Sequence, residues 1–216
     1  MFKAALFDLD GTLLDTLDDI ADSMNDTLRR MGWAEHAVDA YRWFVGDGVE
    51  QLVRRALPEE RRTEKDVAHC LKLYREEYGR RWNARTRPYD GVPEMLRALE
   101  AAGLRLAVLS NKSHNFTLQC VEEFLPGNQF DLVLGHREGH AHKPDPASAL
   151  EVARTLGIAP ADFLYLGDTA VDMQTALSAG MYPVGALWGF RPESELRQAG
   201  AKALIKEPME MVELIG

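Results

Sequence analysis

Two carboxylates, one residue apart, follow the first apolar stretch of the chain and are the first side chains suited to catalysis. Residues 4–7 read Ala-Ala-Leu-Phe, which is typical of a short buried strand, and Asp8 and Asp10 come directly after it. Side chains two apart in a strand share a face, so we expect the carboxylates to lie close together. Their repulsion would be relieved by a divalent cation, a shared proton or a neighbouring Lys or Arg. A strand followed by a polar Asp-Gly turn is the alternative.

A second polar stretch begins at Ser110, after the apolar run of residues 104–109. We predict a strand over that run and a helix starting near Asn115. A hydroxyl and free backbone N–H groups at the start of a helix form a phosphate-binding arrangement. A plain helix cap is the alternative role for Ser110.

Lys143 stands in a third stretch, just before Pro144 and Pro146. The proline rings restrict the backbone, and Pro146 suits the first turn of a helix, so the direction of the lysine is fixed. A lysine held beside a carboxylate pair neutralises both the aspartates and a bound phosphate. A surface lysine in a loop is the alternative, which leaves the two prolines unexplained.

Three histidines precede this lysine and could indicate a transition-metal site. Their spacing matches no zinc pattern, no cysteine accompanies them, and Gly139 lies among them, so we favour a solvated loop. The three are His136, His140 and His142.

A fourth stretch, Gly167-Asp168-Thr169-Ala170-Val171-Asp172, follows the apolar residues 163–166. Asp168 would leave the strand end as a hard oxygen ligand of the kind that Mg²⁺ prefers. Asp172 lies one helical turn further on and returns to the same side. A capped helix with an acidic first turn is a second interpretation, and it is compatible with the first.

The elements that must position these groups alternate between helix and strand after residue 88. Such alternation predicts an α/β fold, a Rossmann-like doubly wound parallel sheet with helices on both faces. Ligands bind beyond the carboxyl ends of the strands in sheets of this kind, which is where the polar stretches fall. The predicted strands after residue 88 are 104–109, 130–134, 163–166 and 182–187, and the predicted helices are 93–102, 115–124, 146–156 and 171–179.

Residues 15–87 instead show helical periodicity throughout, and we predict an inserted helical domain. The predicted organisation is therefore an α/β core domain of residues 1–14 and 88–216 and a helical cap domain of residues 15–87. This segment holds 14 basic and 15 acidic residues, whereas the whole chain carries a net charge of −9. Most of these charges should lie on solvated helix faces, while a few arginines are candidates for contact with an anionic substrate.

Composition excludes several classes of protein. The net charge of −9 argues against a nucleic-acid partner, which normally meets a basic surface. No apolar run is long enough to span a bilayer and no leader precedes the first strand, so no membrane partner is expected. The two cysteines, Cys70 and Cys120, form no disulfide framework and indicate a reducing compartment, by default the cytoplasm.

The four stretches, in this order and each at a predicted strand end, resemble the four motifs of the haloacid dehalogenase superfamily of phosphotransferases. The resemblance covers the whole chain and favours the subgroup whose helical cap follows the first motif. Residues 44–57, with Phe-Val-Gly-Asp-Gly-Val at their start, and residues 187–201, starting Leu-Trp-Gly-Phe-Arg, are similar to phosphoglycolate phosphatases. Many of those proteins carry Gly-Asn-Gly where this chain has Asp47 between two glycines, a departure that bears on the substrate.

The resemblance implies a Mg²⁺-dependent phosphatase acting through an aspartyl phosphate. It makes Asp8 the nucleophile and Asp10 the acid and base, with Ser110 and Lys143 completing the catalytic groups. The implied metal residues are Asp8, Asp10 through its backbone carbonyl, Asp168 and Asp172, the last directly or through water. The implied substrate-binding residues are Thr12 and Asn111 in the core and Gly46, Asp47, Gly48, Arg54 and Arg55 in the cap.

The expected partner is a small phosphorylated metabolite, most simply 2-phosphoglycolate, acted on by a monomer or a homodimer. A phosphomutase, a sugar phosphatase, a nucleotidase and a pyrophosphatase are the alternatives within the superfamily. A non-catalytic binding or regulatory module on the same fold is the alternative outside enzymes. The complete set of motif residues argues against that module, and turnover of an aryl phosphate with Mg²⁺ decides between them.

Overall fold

The computed structural model of the chain describes residues 2–127 and 130–215. Its centre is a six-stranded sheet in which every neighbouring pair is parallel, in the order β5-β4-β1-β6-β7-β8. These strands are β1 (Ala4–Phe7), β4 (Arg105–Ser113), β5 (Leu132–His136), β6 (Phe163–Gly167), β7 (Tyr182–Ala186) and β8 (Ala203–Ile205), while β2 (Leu14–Asp15) and β3 (Arg87–Pro88) form a separate antiparallel pair.

Ten α-helices accompany the strands in the described ranges. Four lie between β2 and β3: α1 (Leu17–Arg30), α2 (Tyr41–Phe44), α3 (Val49–Ala56) and α4 (Glu64–Arg81). The others are α5 (Val92–Ala101), α6 (His114–Phe124), α7 (Ala147–Leu156), α8 (Ala170–Ala179), α9 (Glu193–Gln198) and α10 (Glu210–Glu213). None of the helices in these ranges combines the length and apolar character that a bilayer crossing requires.

Both faces of the central sheet are buried, which explains the continuous apolar runs of its strands. In β1, Ala5 and Phe7 belong to a cluster on one face, while Ala4 and Leu6 belong to a cluster on the other. Helix α5 covers the first face, and α7 and α8 cover the second. The doubly wound α/β fold predicted from the alternating pattern is confirmed.

The helices of residues 17–81 pack around an apolar cluster of their own, which Phe190 of the core completes. The chain enters this layer through β2 and leaves it through β3, where Arg87 forms an ion pair with Asp15. The prediction that the insert is wholly helical is therefore wrong at its two ends, which pair as short strands. The division into a core domain and a cap domain stays a prediction.

A buried carboxylate joins the two crossings between core and cap. Asp19 of α1 is 1% exposed and accepts hydrogen bonds from the backbone N–H groups of Arg85 and Thr86 and from the Thr86 hydroxyl, at 2.8–3.0 Å. Because these donors belong to the segment that leads into β3, Asp19 fixes the start of the helical layer to its end.

Two predicted strand boundaries shift in a way that matters for the site. The fourth strand continues through Ser113 rather than ending at residue 109, with an irregularity in its pairing to β5 after Leu109. Helix α6 consequently begins at His114, so Ser110 lies within a strand and not at a helix start. The polar residues after Leu109 stay extended because Ser113 pairs with His136 of β5. Strand β5 accordingly spans residues 132–136, two residues later than the predicted 130–134.

Candidate active site

The carboxyl ends of the central strands and the cap helices enclose a cavity of about 330 Å³. Asp8, Asp10 and Ser110 line it from the core, and Gly46 and Gly48 line it from the cap. Two of the four sequence-predicted stretches therefore line this cavity, and the other two reach the same edge of the sheet through Asp8, since Lys143 pairs with it and Asp168 lies close to it.

Asp8 leaves β1 with its backbone N–H bonded to the carbonyl of Leu166 in β6. Its side chain is buried, and Lys143 Nζ lies 2.9 Å from Oδ1, an ion-pair distance outside hydrogen-bond geometry. Oδ1 accepts no hydrogen bond from the described residues. Burial and the neighbouring Asp172 raise the pKa of Asp8 to about 7, although Lys143 opposes the rise. This oxygen is thus buried at ion-pair distance from a cation, with no aligned hydrogen bond from the described residues.

Lys143 is fixed from several sides. Its ammonium donates to Asp172 Oδ1 at 2.7 Å and to the carbonyl of Leu109 at 3.1 Å. Asn111 clamps its backbone, since the amide oxygen accepts from Lys143 N at 2.8 Å and the amide nitrogen donates to Lys143 O at 3.1 Å. Burial alone would lower the pKa of Lys143, but Asp172 and Asp8 raise it well above the usual value, so the cation is maintained.

Asp168 follows β6 and is completely buried. Thr12 donates its hydroxyl to Oδ1 at 2.9 Å, and the backbone N–H of Phe190 donates to Oδ2 at 2.8 Å. A Cβ atom on Gly11 or Gly189 would lie 2.4 Å or 2.2 Å from atoms of this side chain, so both positions require glycine. Burial, followed by the charges of Asp172 and Asp8, raises the pKa of Asp168 to about 8.

A divalent cation fits this arrangement. Asp8, Asp168 and Asp172 are all buried, and each offers an oxygen within 4.8 Å of the others. Within the described ranges one ammonium, that of Lys143, forms ion pairs with Asp8 and Asp172, while Asp168 forms no ion pair. The unbonded Oδ1 of Asp8 and the Asp168 carboxyl, which has no cationic partner among the described residues, are therefore matched to a hard cation.

Asp172 differs from the other two carboxylates because both of its oxygens are occupied. Oδ1 accepts from Lys143, and Oδ2 accepts from the hydroxyl and backbone N–H of Thr169 at 2.7 and 3.1 Å, which forms a capping box at the start of α8. The structure thus places Asp172 where it holds Lys143 and caps the helix, and the helix cap is the second interpretation that the sequence offered.

Asp10 turns toward a residue that the sequence analysis did not select. Lys112 Nζ donates to its two carboxylate oxygens at 2.9 and 3.1 Å, and both side chains are largely buried. The ring of Tyr78, from α4, lies 4.9 Å from the ammonium. Burial lowers the pKa of Lys112, but Asp10 raises it, and the net change is a strong rise. Had the strand been extended past residue 109, Lys112 would have fallen on the face of Ser110.

The cap loop of residues 45–48 is held by hydrogen bonds to main-chain oxygens. Asn111 donates to the carbonyl of Gly46 at 2.9 Å, and Arg191 donates to the carbonyl of Val45 at 2.9 Å. In the opposite direction, Arg42 of the cap donates to the carbonyl of Gly189 at 3.0 Å. Gly48 lies against His142, whose Nε2 would be 2.6 Å from a Cβ atom there.

The three charged cap residues that were predicted to bind substrate, Asp47, Arg54 and Arg55, form their ion pairs with other residues of the cap. Arg55 donates to Asp47 at 2.5 Å and to the carbonyl of Phe44 at 3.1 Å. Arg54 donates to Glu50 and Glu64 on the surface of the cap. Neither arginine nor Asp47 lines the cavity, so the structure does not bring them to the other site residues.

The histidine loop forms no metal cluster in the described part of the chain, where the acidic triad alone has suitable spacing. His136 and His142 instead stack with ring centroids 3.6 Å apart.

Comparisons with known proteins agree with this geometry. A family model described as "Haloacid dehalogenase-like hydrolase" matches residues 5–186. Phosphoglycolate phosphatase of Nitrosospira multiformis is 34% identical over 216 residues, 99% of this chain and 95% of the relative. Phosphoglycolate phosphatase of Thiobacillus denitrificans is 34% identical over 200 residues, covering 90% and 88% of the two chains.

Among solved structures, a predicted phosphoglycolate phosphatase from Haemophilus somnus 129PT superposes with a TM-score of 0.92 at 27% identity, covering 100% of this chain and 98% of that one. These similarities confirm the resemblance that the four motifs and the cap sequence indicated. The chain belongs to the haloacid dehalogenase-like hydrolase family.

Proposed function

We propose that this chain is a Mg²⁺-dependent phosphatase that hydrolyses a small phosphomonoester, 2-phosphoglycolate, through an aspartyl phosphate on Asp8. The names of the curated relatives support the substrate, and the chemistry of the strand-end residues supports the reaction. The observation that carries the proposal is the buried, unbonded Oδ1 of Asp8 beside the ammonium of Lys143.

In the first step, Asp8 Oδ1 attacks phosphorus and the bond to the ester oxygen breaks. Asp10 gives its proton to the departing alkoxide, which leaves as an alcohol. In the second step, Asp10 takes a proton from water as the water oxygen attacks phosphorus, which releases inorganic phosphate and restores Asp8. Asp10 is suited to both steps because it follows the nucleophile by two residues and lines the same cavity.

The core residues hold the transferred group. Ser110 Oγ accepts from the backbone N–H of Lys112 at 3.2 Å, so its O–H is free to donate to a phosphoryl oxygen. Lys143 neutralises charge on the phosphoryl group while the amide of Asn111 fixes the lysine backbone. Since phosphoryl transfer depends mainly on positioning and charge neutralisation, these fixed donors account for much of the expected rate.

We assign Mg²⁺ to the carboxylates of Asp8 and Asp168 and the backbone carbonyl of Asp10, with Asp172 acting through water or through Lys143. When bound, the cation supplies charge neutralisation for the phosphoryl oxygens and the carboxylates. Thr12 then serves this site by orienting Asp168 through its hydroxyl.

We retain the cytoplasm as the proposed location because Cys70 and Cys120 are free, buried thiols. A monomer or a homodimer remains the proposed state. No described residue favours a mutase or another phosphatase specificity over the one proposed.

The proposal is tested by measuring inorganic phosphate release from a panel of phosphorylated metabolites, with Mg²⁺ and with a chelator. We expect Mg²⁺-dependent turnover, fastest with 2-phosphoglycolate. Turnover of another metabolite at higher kcat/KM would replace the substrate, while no turnover of any ester, including an aryl phosphate, would favour a binding module.

A further inference from the structure

We propose that Lys112 selects substrates that carry an anion beside the phosphate ester oxygen. The inference deepens the proposed function and rests on it, because the carboxylate of 2-phosphoglycolate is such an anion. Lys112 lies in β4 of the core and lines the cavity with Asp8 and Asp10. A candidate donor for the carboxylate therefore exists in the core, in addition to the cap arginines that the sequence suggested.

The position of the ammonium follows from its contact with Asp10. An acid that protonates the ester oxygen must approach it to about 2.6–3.2 Å. In phosphoglycolate the carboxylate carbon is two bonds from that oxygen, so the carboxylate oxygens lie about 2.6–3.6 Å from it. Lys112 Nζ lies 2.9 and 3.1 Å from the two oxygens of Asp10. These distances allow the ammonium and the substrate carboxylate to meet on the same side of the ester oxygen.

Lys112 has the capacity for a second anion. An ammonium carries three donors, and the two oxygens of Asp10 accept from it, so the third donor is the one for which Tyr78 and an anion in the cavity compete. The lysine side chain is 8% exposed, and the ring of Tyr78 covers it 4.9 Å from Nζ. An anion that reaches this cation meets little competing water, which strengthens the attraction.

The cap arginines do not offer the same arrangement. Arg54 and Arg55 are engaged with carboxylates of the cap and do not line the cavity. Arg75 of α4 does line it and has no hydrogen bond or ion pair within the described ranges, but its side chain is exposed to water. Arg75 is therefore the competing candidate, and the test includes it.

Lys112 also orients Asp10, so the test must separate selection from positioning. Loss of positioning slows every phosphate ester, because each needs the acid. Loss of selection slows only the anionic ester. Three esters of similar length distinguish the two effects: 2-phosphoglycolate, ethyl phosphate and 2-aminoethyl phosphate, whose distal groups are negative, uncharged and positive.

The experiment measures kcat/KM for the three esters at saturating Mg²⁺ in the parent and in Lys112→Met, Arg75→Met and Lys72→Met. Lys72 is the matched control, since it is an exposed lysine of α4 that does not line the cavity. We expect the phosphoglycolate-to-ethyl phosphate ratio to fall about 10- to 150-fold in Lys112→Met. The 2-aminoethyl-to-ethyl ratio should rise in the same variant, and both ratios should stay unchanged in the other two.

Equal losses on all three esters in Lys112→Met would reduce the lysine to a positioning residue and overturn the inference. A fall of the ratio in Arg75→Met alone would overturn it in favour of Arg75. If Lys112→Met does not fold, Lys112→Arg replaces it in the test, because it keeps the positive charge beside Asp10. This variant should keep the preference for phosphoglycolate over ethyl phosphate, and loss of that preference would contradict the inference. If the parent enzyme hydrolyses ethyl phosphate as well as it hydrolyses phosphoglycolate, the inference about Lys112 is contradicted and the proposed phosphatase function is not. If the parent enzyme hydrolyses neither ester, both the proposed function and the inference are contradicted.

Discussion

The ammonium of Lys143 lies between two carboxylates and contacts Asp8 Oδ1 at 2.9 Å and Asp172 Oδ1 at 2.7 Å. One cation thus faces both the proposed nucleophile and the residue that anchors the lysine. Asp172 holds the lysine by a hydrogen bond, whereas Asp8 Oδ1 does not accept one. The proposed nucleophile is therefore held beside positive charge by an ion pair, while the lysine itself is anchored by Asp172.

We expect Asp8→Asn to fold normally and to lose phosphatase activity by several orders of magnitude. The amide retains the shape of the side chain but is a poor nucleophile for phosphorus. The measurement is phosphate release by the purified variant, with circular dichroism as the check on folding. Turnover near the parent level, in protein free of parent enzyme, would exclude the covalent intermediate.

Asp10→Asn should discriminate between leaving groups. The variant keeps its backbone carbonyl but loses the proton that an alkyl leaving group requires, while an aryl leaving group needs less protonation. We expect kcat to fall at least about tenfold more for 2-phosphoglycolate than for an aryl phosphate. Equal losses on both substrates would show that Asp10 serves only to shape the site and hold Lys112.

The stability of the metal-free protein should depend on pH through Asp8 and Asp168. Their pKa values rise from 3.8 to about 7 and about 8 on folding, so the folded chain holds these protons more tightly than the unfolded chain. The stability that these two protonated carboxyls contribute is fully present below about pH 4 and is lost as the pH rises through about 7–8. Each group lowers the free energy of unfolding by at most about 1.4 kcal/mol per pH unit.

The measurement is urea denaturation at pH 5.5, 6.5 and 7.5, with chelator and with Mg²⁺. Asp168→Asn is the control because it lacks one of the two groups, and the parent with chelator should lose more stability with rising pH than this variant does. Mg²⁺ should reduce the parent's loss by competing with the protons. Identical pH profiles with and without Mg²⁺ would argue against a metal at these carboxylates.

Asp19→Ala should destabilise the protein by about 2–4 kcal/mol, because it leaves the buried N–H of Thr86 and the part-buried N–H of Arg85 without an acceptor. Asp18→Ala is the matched control, since the Asp18 side chain is 43% exposed and its ion pair with Arg85 spans 3.4 Å. That control should change stability by less than about 1 kcal/mol. Similar effects of the two substitutions in thermal or urea denaturation would show that Asp19 does not fix the cap to its return segment.

The residues that end apolar strands could be placed from sequence because a parallel sheet brings all such ends to one edge. Asp8, Ser110 and Asp168 follow from that rule alone. Lys112 could not be placed, since the strand pattern stops at residue 109 and its continuation depends on pairing with β5. A polar segment gives no periodic signal for such pairing.

The partners of Arg54 and Arg55 were equally inaccessible from the sequence. Each arginine has acidic residues within one or two turns, and the choice among them depends on how α3 packs against α4 and the preceding loop. The roles of Gly189 and Phe190 also depend on tertiary structure, because the segment after β7 folds back onto Asp168.

The hydrogen bonds that join the cap loop to the core end on carbonyl oxygens, those of Val45 and Gly46, and the reciprocal bond from Arg42 ends on the carbonyl of Gly189. A carbonyl is present whatever side chain the residue carries. Mutations in this loop can therefore change the side chains that contact a substrate while the hydrogen bonds between cap loop and core are kept. The contacts that hold this loop against the core therefore do not depend on its side chains. Substitutions that change substrate preference can accumulate in the loop one residue at a time without loss of these contacts.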